Sequence, residues 1–252
     1  MKKQQSIGRW AIISLSILLI SIAFTSCKKT NNDNNEEIPA AGLMAFNLAP
    51  GTVSGFAVSG NSITASPLFY GSFTGGYIRL FPGDRTIQAY DYNTGSNLAN
   101  KAMNLERDKY YSAFLVGTSP NFQQIVVRDN IDSLASASQS FVRYINAIPD
   151  ASSPTVTISN GGENVVNQNA AFTSVSEFVV INPGDVTITV NNGGNINATR
   201  TVTLQSQKIY TILLSGKPGG IGDEAVQIKY IQNGTVDDLP GMVNPGAADQ
   251  GN

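Results

Sequence analysis

Along much of the chain apolar and polar residues alternate with a period of two. Val186, Ile188 and Val190 interleave with Thr187 and Thr189. This alternation sends one set to a core and the other to water, as in a half-buried strand. Val156 and Ile158 alternate with Thr155 and Thr157 in the same way. Tyr210, Ile212 and Leu214 share one face of a further strand, with Ile209, Thr211 and Leu213 on the other. Between these runs lie turn signals: Asn160-Gly161-Gly162, Pro183-Gly184-Asp185, Asn192-Gly193-Gly194 and Pro218-Gly219-Gly220. Pro then Gly suits a type II turn, and an Asp after it can bond backbone amides. No run of ten or more residues within either of these strand-rich regions carries a convincing helical period.

The pattern occurs twice. Pro82-Gly83-Asp84 precedes Arg85-Thr86-Ile87 as Pro183-Gly184-Asp185 precedes Val186-Thr187-Ile188, at an offset of 101 (183 − 82). Asn47-Leu48-Ala49-Pro50 corresponds to Asn146-Ala147-Ile148-Pro149 at an offset of 99 (146 − 47), and Leu105, Lys109, Tyr111 and Gly117 correspond to Leu204, Lys208, Tyr210 and Gly216 at the same offset. A repeat of this size is a duplicated domain, longer than the unit of a solenoid. The expected architecture is all-β: two tandem immunoglobulin-like β-sandwich domains of about seven short strands each. They are placed at residues 42–132 and 141–233, joined by a Ser/Ala-rich linker at 133–140 and followed by a disordered tail at 234–252.

The second copy also carries a family resemblance. Asn146-Ala147-Ile148-Pro149-Asp150-Ala151, then Phe172-Thr173-Ser174-Val175-Ser176-Glu177-Phe178 and the Pro-Gly turn, then Leu204-Gln205-Ser206-Gln207-Lys208-Ile209-Tyr210-Thr211 resemble in order the bacterial domain of unknown function 4397. The first copy matches more weakly, having Gly51 where the family usually has Asp. The resemblance implies a secreted or lipid-anchored protein and supplies no catalytic or binding residues.

The first 26 residues read as an export signal. Lys2, Lys3 and Arg9 precede the apolar run Trp10 to Phe24, and small residues lead to Cys27. The run falls short of the roughly 20 residues a membrane span needs. Ala23-Phe24-Thr25-Ser26-Cys27 resembles a bacterial lipoprotein box, with Phe24 in place of the usual Leu. The resemblance implies lipid attached to Cys27 and a location in the cell envelope, anchored to the outer membrane on its periplasmic or outer side. Lys28 to Ala41 is a polar tether, roughly 20 Å long on average as a flexible coil. Its acidic, Asn-rich run either addresses the chain to the outer surface or serves only as a spacer.

Chemistry is mostly excluded. The sequence has no His and one Cys, so a Ser-His-Asp triad and an internal disulfide are both impossible, and a zinc site has few ligands. A net charge of −2 with no basic cluster argues against nucleic acid. No cofactor, metal or catalytic residue is expected. Asp84 and Asp185 are the only acids shared by both copies, and their turn explains them. Asp132-Ser133-Leu134 resembles a bacterial O-glycosylation site at Ser133. The sharpest difference between the copies is aromatic: Tyr90 and Tyr92 fall where the second copy has Asn191 and Gly193. Tyr70 and Tyr77 lie in a neighbouring run of rings, Phe69 to Tyr77. Such rings either stack on a sugar or a protein, or pack against the other domain. The expectation is a non-enzymatic surface module for a glycan or an envelope protein. The alternatives are an architectural subunit and a carboxylate-dependent hydrolase.

Overall fold

A computed structural model describes residues 39–134 and 138–236. The signal segment, Cys27 and nearly all of the tether lie outside the described residues. Repeat 1 contains β1 (Ala41–Asn47), β2 (Val53–Val58), β3 (Asn61–Ser62), β4 (Leu68–Phe69), β5 (Ile78–Leu80), β6 (Gly83–Asp91), β7 (Asn97–Leu105), β8 (Tyr110–Thr118) and β9 (Asn121–Asp129). Repeat 2 contains β10 (Ser140–Asn146), β11 (Thr155–Asn160), β12 (Glu163–Asn169), β13 (Val179–Ile181), β14 (Gly184–Asn191), β15 (Asn197–Leu204), β16 (Lys208–Ser215) and β17 (Gln227–Thr235). The strands reach beyond the borders read from sequence. Ala41 opens β1, Ser140 opens β10, and β17 runs to Thr235 with Val236 buried behind it.

Each repeat is a two-sheet sandwich. In repeat 1 the sheets are β5-β1-β8-β9 and β3-β2-β6-β7, with β4 also paired to β2; in repeat 2 they are β13-β10-β16-β17 and β12-β11-β14-β15. The first strand of each repeat runs parallel to the strand that follows the second long hairpin, β1 to β8 and β10 to β16. The cores are the inward residues of the alternating strands. Val156, Ile158, Val186, Ile188, Val190, Tyr210, Ile212 and Leu214 meet in repeat 2, and Phe56, Val58, Ile87, Ala89, Leu105 and Tyr111 meet in repeat 1.

The repeated landmarks each do the same job twice. Asn47 and Asn146 are buried at the ends of β1 and β10. The side chain of Asn47 donates to the carbonyls of Thr52 and Leu68 and accepts from the Ala49 amide; that of Asn146 donates to Ala170 and accepts from Ile148. The Asn-x-x-Pro signal therefore marks a turn stitched from inside. The Tyr111 hydroxyl accepts the Glu106 amide at 2.9 Å, and the Tyr210 hydroxyl accepts the Gln205 amide at 3.1 Å, tying each hairpin to its own strand. Gly117 and Gly216 have φ of 95° and 96°, and a Cβ on either would meet a backbone carbonyl, of Asn121 or Ala225. In the Pro-Gly-Asp turns the glycine indeed has positive φ, 104° at Gly83 and 116° at Gly184. The aspartates, however, bond across the sheet. Asp84 accepts from the Asn104 side chain at 2.7 Å and Asp185 from the Thr203 hydroxyl at 2.6 Å, each its partner in the ladder.

Strands β1, β8, β10 and β16 are buried on both faces. The reason is that the two repeats pack sheet against sheet within one compact unit. Met44, Phe46, Leu48, Phe114 and Val116 of repeat 1 join Ile145, Ala147 and Leu213 of repeat 2 in a third apolar cluster, with Phe46 stacked on Phe114 at 4.7 Å. Beside it lies a buried polar network. Arg143 pairs with Asp129 at 2.6 Å, and both side chains are almost wholly out of water, at 2% and 0% exposure. The Arg143 guanidinium also donates to Ser112 and Thr211 and lies 4.4 Å from the Phe178 ring centre. Asp129 accepts from the Ser112 and Tyr77 hydroxyls at 2.7 and 2.6 Å. Thr211 donates to Asn233, whose amide donates to the Tyr77 oxygen. A buried pair is tolerated only when its remaining hydrogen bonds are filled in this way.

Candidate functional site

The outer sheet of repeat 1 presents an aromatic surface that includes Tyr90 and Tyr92. Its geometry follows from strand parity. Phe56, Val58, Leu68, Ile87 and Ala89 point into the core, so Val53, Gly55, Ala57, Phe69, Gln88 and Tyr90 point out. Val53 pairs with Phe69 on one side, and its carbonyl accepts the Tyr92 amide at 3.0 Å on the other. Phe69, Val53 and Tyr92 therefore form a row across β4, β2 and the end of β6. Phe69 is 59% exposed and Tyr92 37%.

The next row is Gly55 with Tyr90. A Cβ at Gly55 would run into the ring and hydroxyl of Tyr90. The ring therefore lies over β2, in space that only glycine leaves free. Its hydroxyl reaches Ser62 on β3 at 3.1 Å, which fixes the ring along the sheet. The hairpin carrying Tyr92 is held by Asp91, which accepts from the amides of Thr94 and Asn93 and from the Thr94 hydroxyl. The Thr94 amide and hydroxyl, more than the Asn93 amide, hold that carboxyl below its ordinary range. The result is a shelf of rings bordered by amide and hydroxyl groups, with the Asp91 carboxylate engaged in the hairpin at its end. It can stack on a flat apolar face.

The same positions in repeat 2 are built differently. Thr155 and Asn191 stand where repeat 1 has Gly55 and Tyr90, and Thr157 pairs with Thr189 in the next row. The Thr187 and Thr201 hydroxyls meet at 3.1 Å. These paired rows consist of short polar side chains, and Val165 on β12 is the exposed apolar residue of the sheet.

Of the four tyrosines singled out from sequence, the fold brings Tyr90 and Tyr92 together and sends the other two elsewhere. The hydroxyl of Tyr77 lies inside the inter-repeat network, bonded to Asp129. Burial first, and the neighbouring Asp129 charge second, push its phenol well above the ordinary value. Tyr70 is also turned inward. Its hydroxyl is buried facing Ser215 and Gly216 without a well-aligned hydrogen bond, and Lys229 lies 5.6 Å from its ring centre. Both rings satisfy the domain-packing alternative. Phe69 was missed as a site residue. It follows Leu68, which points into the core, and so turns its ring outward.

Ser133 ends the short 3-10 turn Ile131–Ser133 and is exposed, with its hydroxyl donating to the Asn130 carbonyl at 2.8 Å. Asp132 beside it pairs with Lys109 and Arg128; chiefly the Lys109 hydrogen bond lowers its carboxyl from the ordinary value. A shallow depression on repeat 1 is lined by Ser59, Asp84, Arg85, Thr86, Ala102, Met103 and Asn104. It holds a single carboxylate, and that carboxylate is bonded to Asn104. Among the described residues no group of three or more Cys, Asp or Glu could hold a metal ion.

A model of the family DUF4397, described as a domain of unknown function, matches the chain twice, over residues 41–153 and 140–241. No curated protein matches. One similar solved structure is a protein of Bacteroides uniformis ATCC 8492 whose role in cell adhesion is assigned provisionally. It shares 10% identity over 77% of this chain and 98% of its own, with a TM-score of 0.21, too slight a likeness to bear on function.

Proposed function

The chain belongs to the DUF4397 family, in two copies, and from that premise we propose that it is a non-enzymatic binding module of the cell envelope. Lipid on Cys27 anchors it to the outer membrane, and the outer sheet of repeat 1 engages a neutral glycan. The observation that carries the reading is the ring of Tyr90 laid over Gly55, flanked by Phe69 and Tyr92. A sugar ring has an apolar face of C–H groups, and aromatic rings offer a large apolar area with a polar edge. Their side chains cost little entropy to order, because the sheet already holds them. The surrounding Gln88, Asn97 and Asn100 are uncharged, which suits hydroxyl groups better than carboxylates or phosphates.

The experiment is a panel of neutral and acidic polysaccharides tested against the lipid-free protein and a Phe69→Ala/Tyr92→Ala variant. The expected result is retention by neutral polymers, lost in the variant with no change in its denaturation midpoint. Equal binding by both proteins removes the aromatic shelf as the site. Absence of binding to every polymer favours an architectural role instead.

A further inference from the structure

The contact between the repeats is built from equivalent patches, apolar on both sides at most positions and different in charge at a few. Phe46 and Ile145, Phe114 and Leu213, and Phe73 and Val175 occupy equivalent places in the two repeats, and all lie in the shared apolar cluster. A patch that meets its own equivalent is the arrangement of a two-fold dimer. The buried network breaks the equivalence. Arg143 on β10 corresponds to Met44 on β1 and Tyr77 to Phe178; Asp129 has its counterpart in Asn233, the residue of the β16–β17 bulge, because Ser112 donates to the one and the equivalent Thr211 to the other. Repeat 1 thus contributes the buried anion and repeat 2 the buried cation.

We propose that this face of repeat 1 is a heterotypic recognition surface. It accepts a domain of its own family that carries a cation at the Arg143 position, and it rejects a second copy of itself. Two copies of repeat 1 joined in this geometry would bury two Asp129 carboxylates, each facing a methionine. Two copies of repeat 2 would bury two guanidinium groups with only Asn233 to face them. Among the described residues neither charge has another ion partner: Ser112 and Tyr77 donate to Asp129 without neutralising it. An uncompensated buried charge is far more costly than a paired one. The apolar part of the contact permits any pairing of repeats, and the ion pair selects one of them. This is the use of a buried polar pair in setting which surfaces associate. On a crowded membrane it keeps neighbouring chains from pairing like repeat with like.

The test uses the full chain with exchanged charges. Asp129→Arg alone and Arg143→Asp alone each place like charges across the contact and should enlarge the hydrodynamic radius. Mixed in equal amounts, the two chains can pair reciprocally so that both contacts regain an ion pair. Light scattering after size exclusion should then show a heterodimer that neither chain forms alone, and the double variant in one chain should be a compact monomer. Single variants that keep the native radius, or folded single variants that give no heterodimer on mixing, overturn the proposal. If the single variants do not fold, Asp129→Asn and Arg143→Met, each borrowing the residue of the other repeat, replace them. Recovery of most of the lost urea midpoint in that double variant supports the pairing role, and simply additive losses overturn it.

Discussion

The outer sheets of the two repeats have the same strand order and differ in what they display. In repeat 2 the paired rows are threonine and asparagine, side chains that satisfy one another across the ladder, as Thr187 does with Thr201 and Asp185 with Thr203. In repeat 1 the equivalent rows are glycine under tyrosine and a line from Phe69 to Tyr92. The inner faces and turns are held alike in both repeats. The comparison separates what the fold requires from what it leaves free. Buried asparagines, tyrosine hydroxyls on backbone amides and glycines with positive φ recur at matched positions, whereas the rings occur once. A feature that one copy does without is not demanded by the scaffold, and so it is the place to look for function.

The largest expected effects fall on the shared scaffold and should be equal in the two repeats. Gly117→Val and Gly216→Val each force a branched side chain into a positive-φ position against a carbonyl, and each should cost about 3 kcal/mol. Urea denaturation that shows a large loss for one and little for the other would break the equivalence. A smaller and unequal effect comes from the outer face. Gly55→Thr gives repeat 1 a residue like Thr155 and must lift the Tyr90 ring. Polysaccharide binding should fall about tenfold, or about 1.4 kcal/mol, while Thr155→Gly in repeat 2 should leave it unchanged. The smallest effect concerns Tyr77 and its counterpart Phe178. Because the folded phenol ionises well above its ordinary value of 10.0, the folded state holds this proton after the unfolded state has lost it. Its contribution is complete at neutral pH and is lost as pH rises above about 10 toward the folded value. Denaturation midpoints measured across that range should fall less steeply in Tyr77→Phe than in the parent protein.

Much of this fold was legible in the chain. The alternation in β14 and the matched Pro-Gly-Asp turns identified strands and the duplication, because a half-buried strand writes its two faces as two kinds of residue. The stacking of the repeats was hidden for the opposite reason. A strand buried on both faces loses its alternation, and Ile209-Tyr210-Thr211-Ile212-Leu213-Leu214 gives the clue only in that both of its faces are largely apolar. The pairing of Arg143 with Asp129 leaves no mark in the sequence, since nothing in one strand tells that its partner ion lies in the other repeat. Tyr90 could be assigned to the outer face from its turn, but the ring's posture depends on Gly55, which sits 35 positions earlier (90 − 55) and meets it only through the ladder. Whether Tyr70 and Tyr77 turned outward or inward depended on the packing of whole sheets, and local pattern does not encode that.

A ligand on the ringed face leaves the threonine face open to solvent. Hydrogen exchange measured peptide by peptide, with and without the neutral polysaccharide that binds best, tests it in one experiment. Protection should appear in β2, β4 and the β6–β7 hairpin of repeat 1, with β11, β14 and β15 exchanging as in the free protein. Protection on the repeat 2 strands, with none in repeat 1, would contradict it.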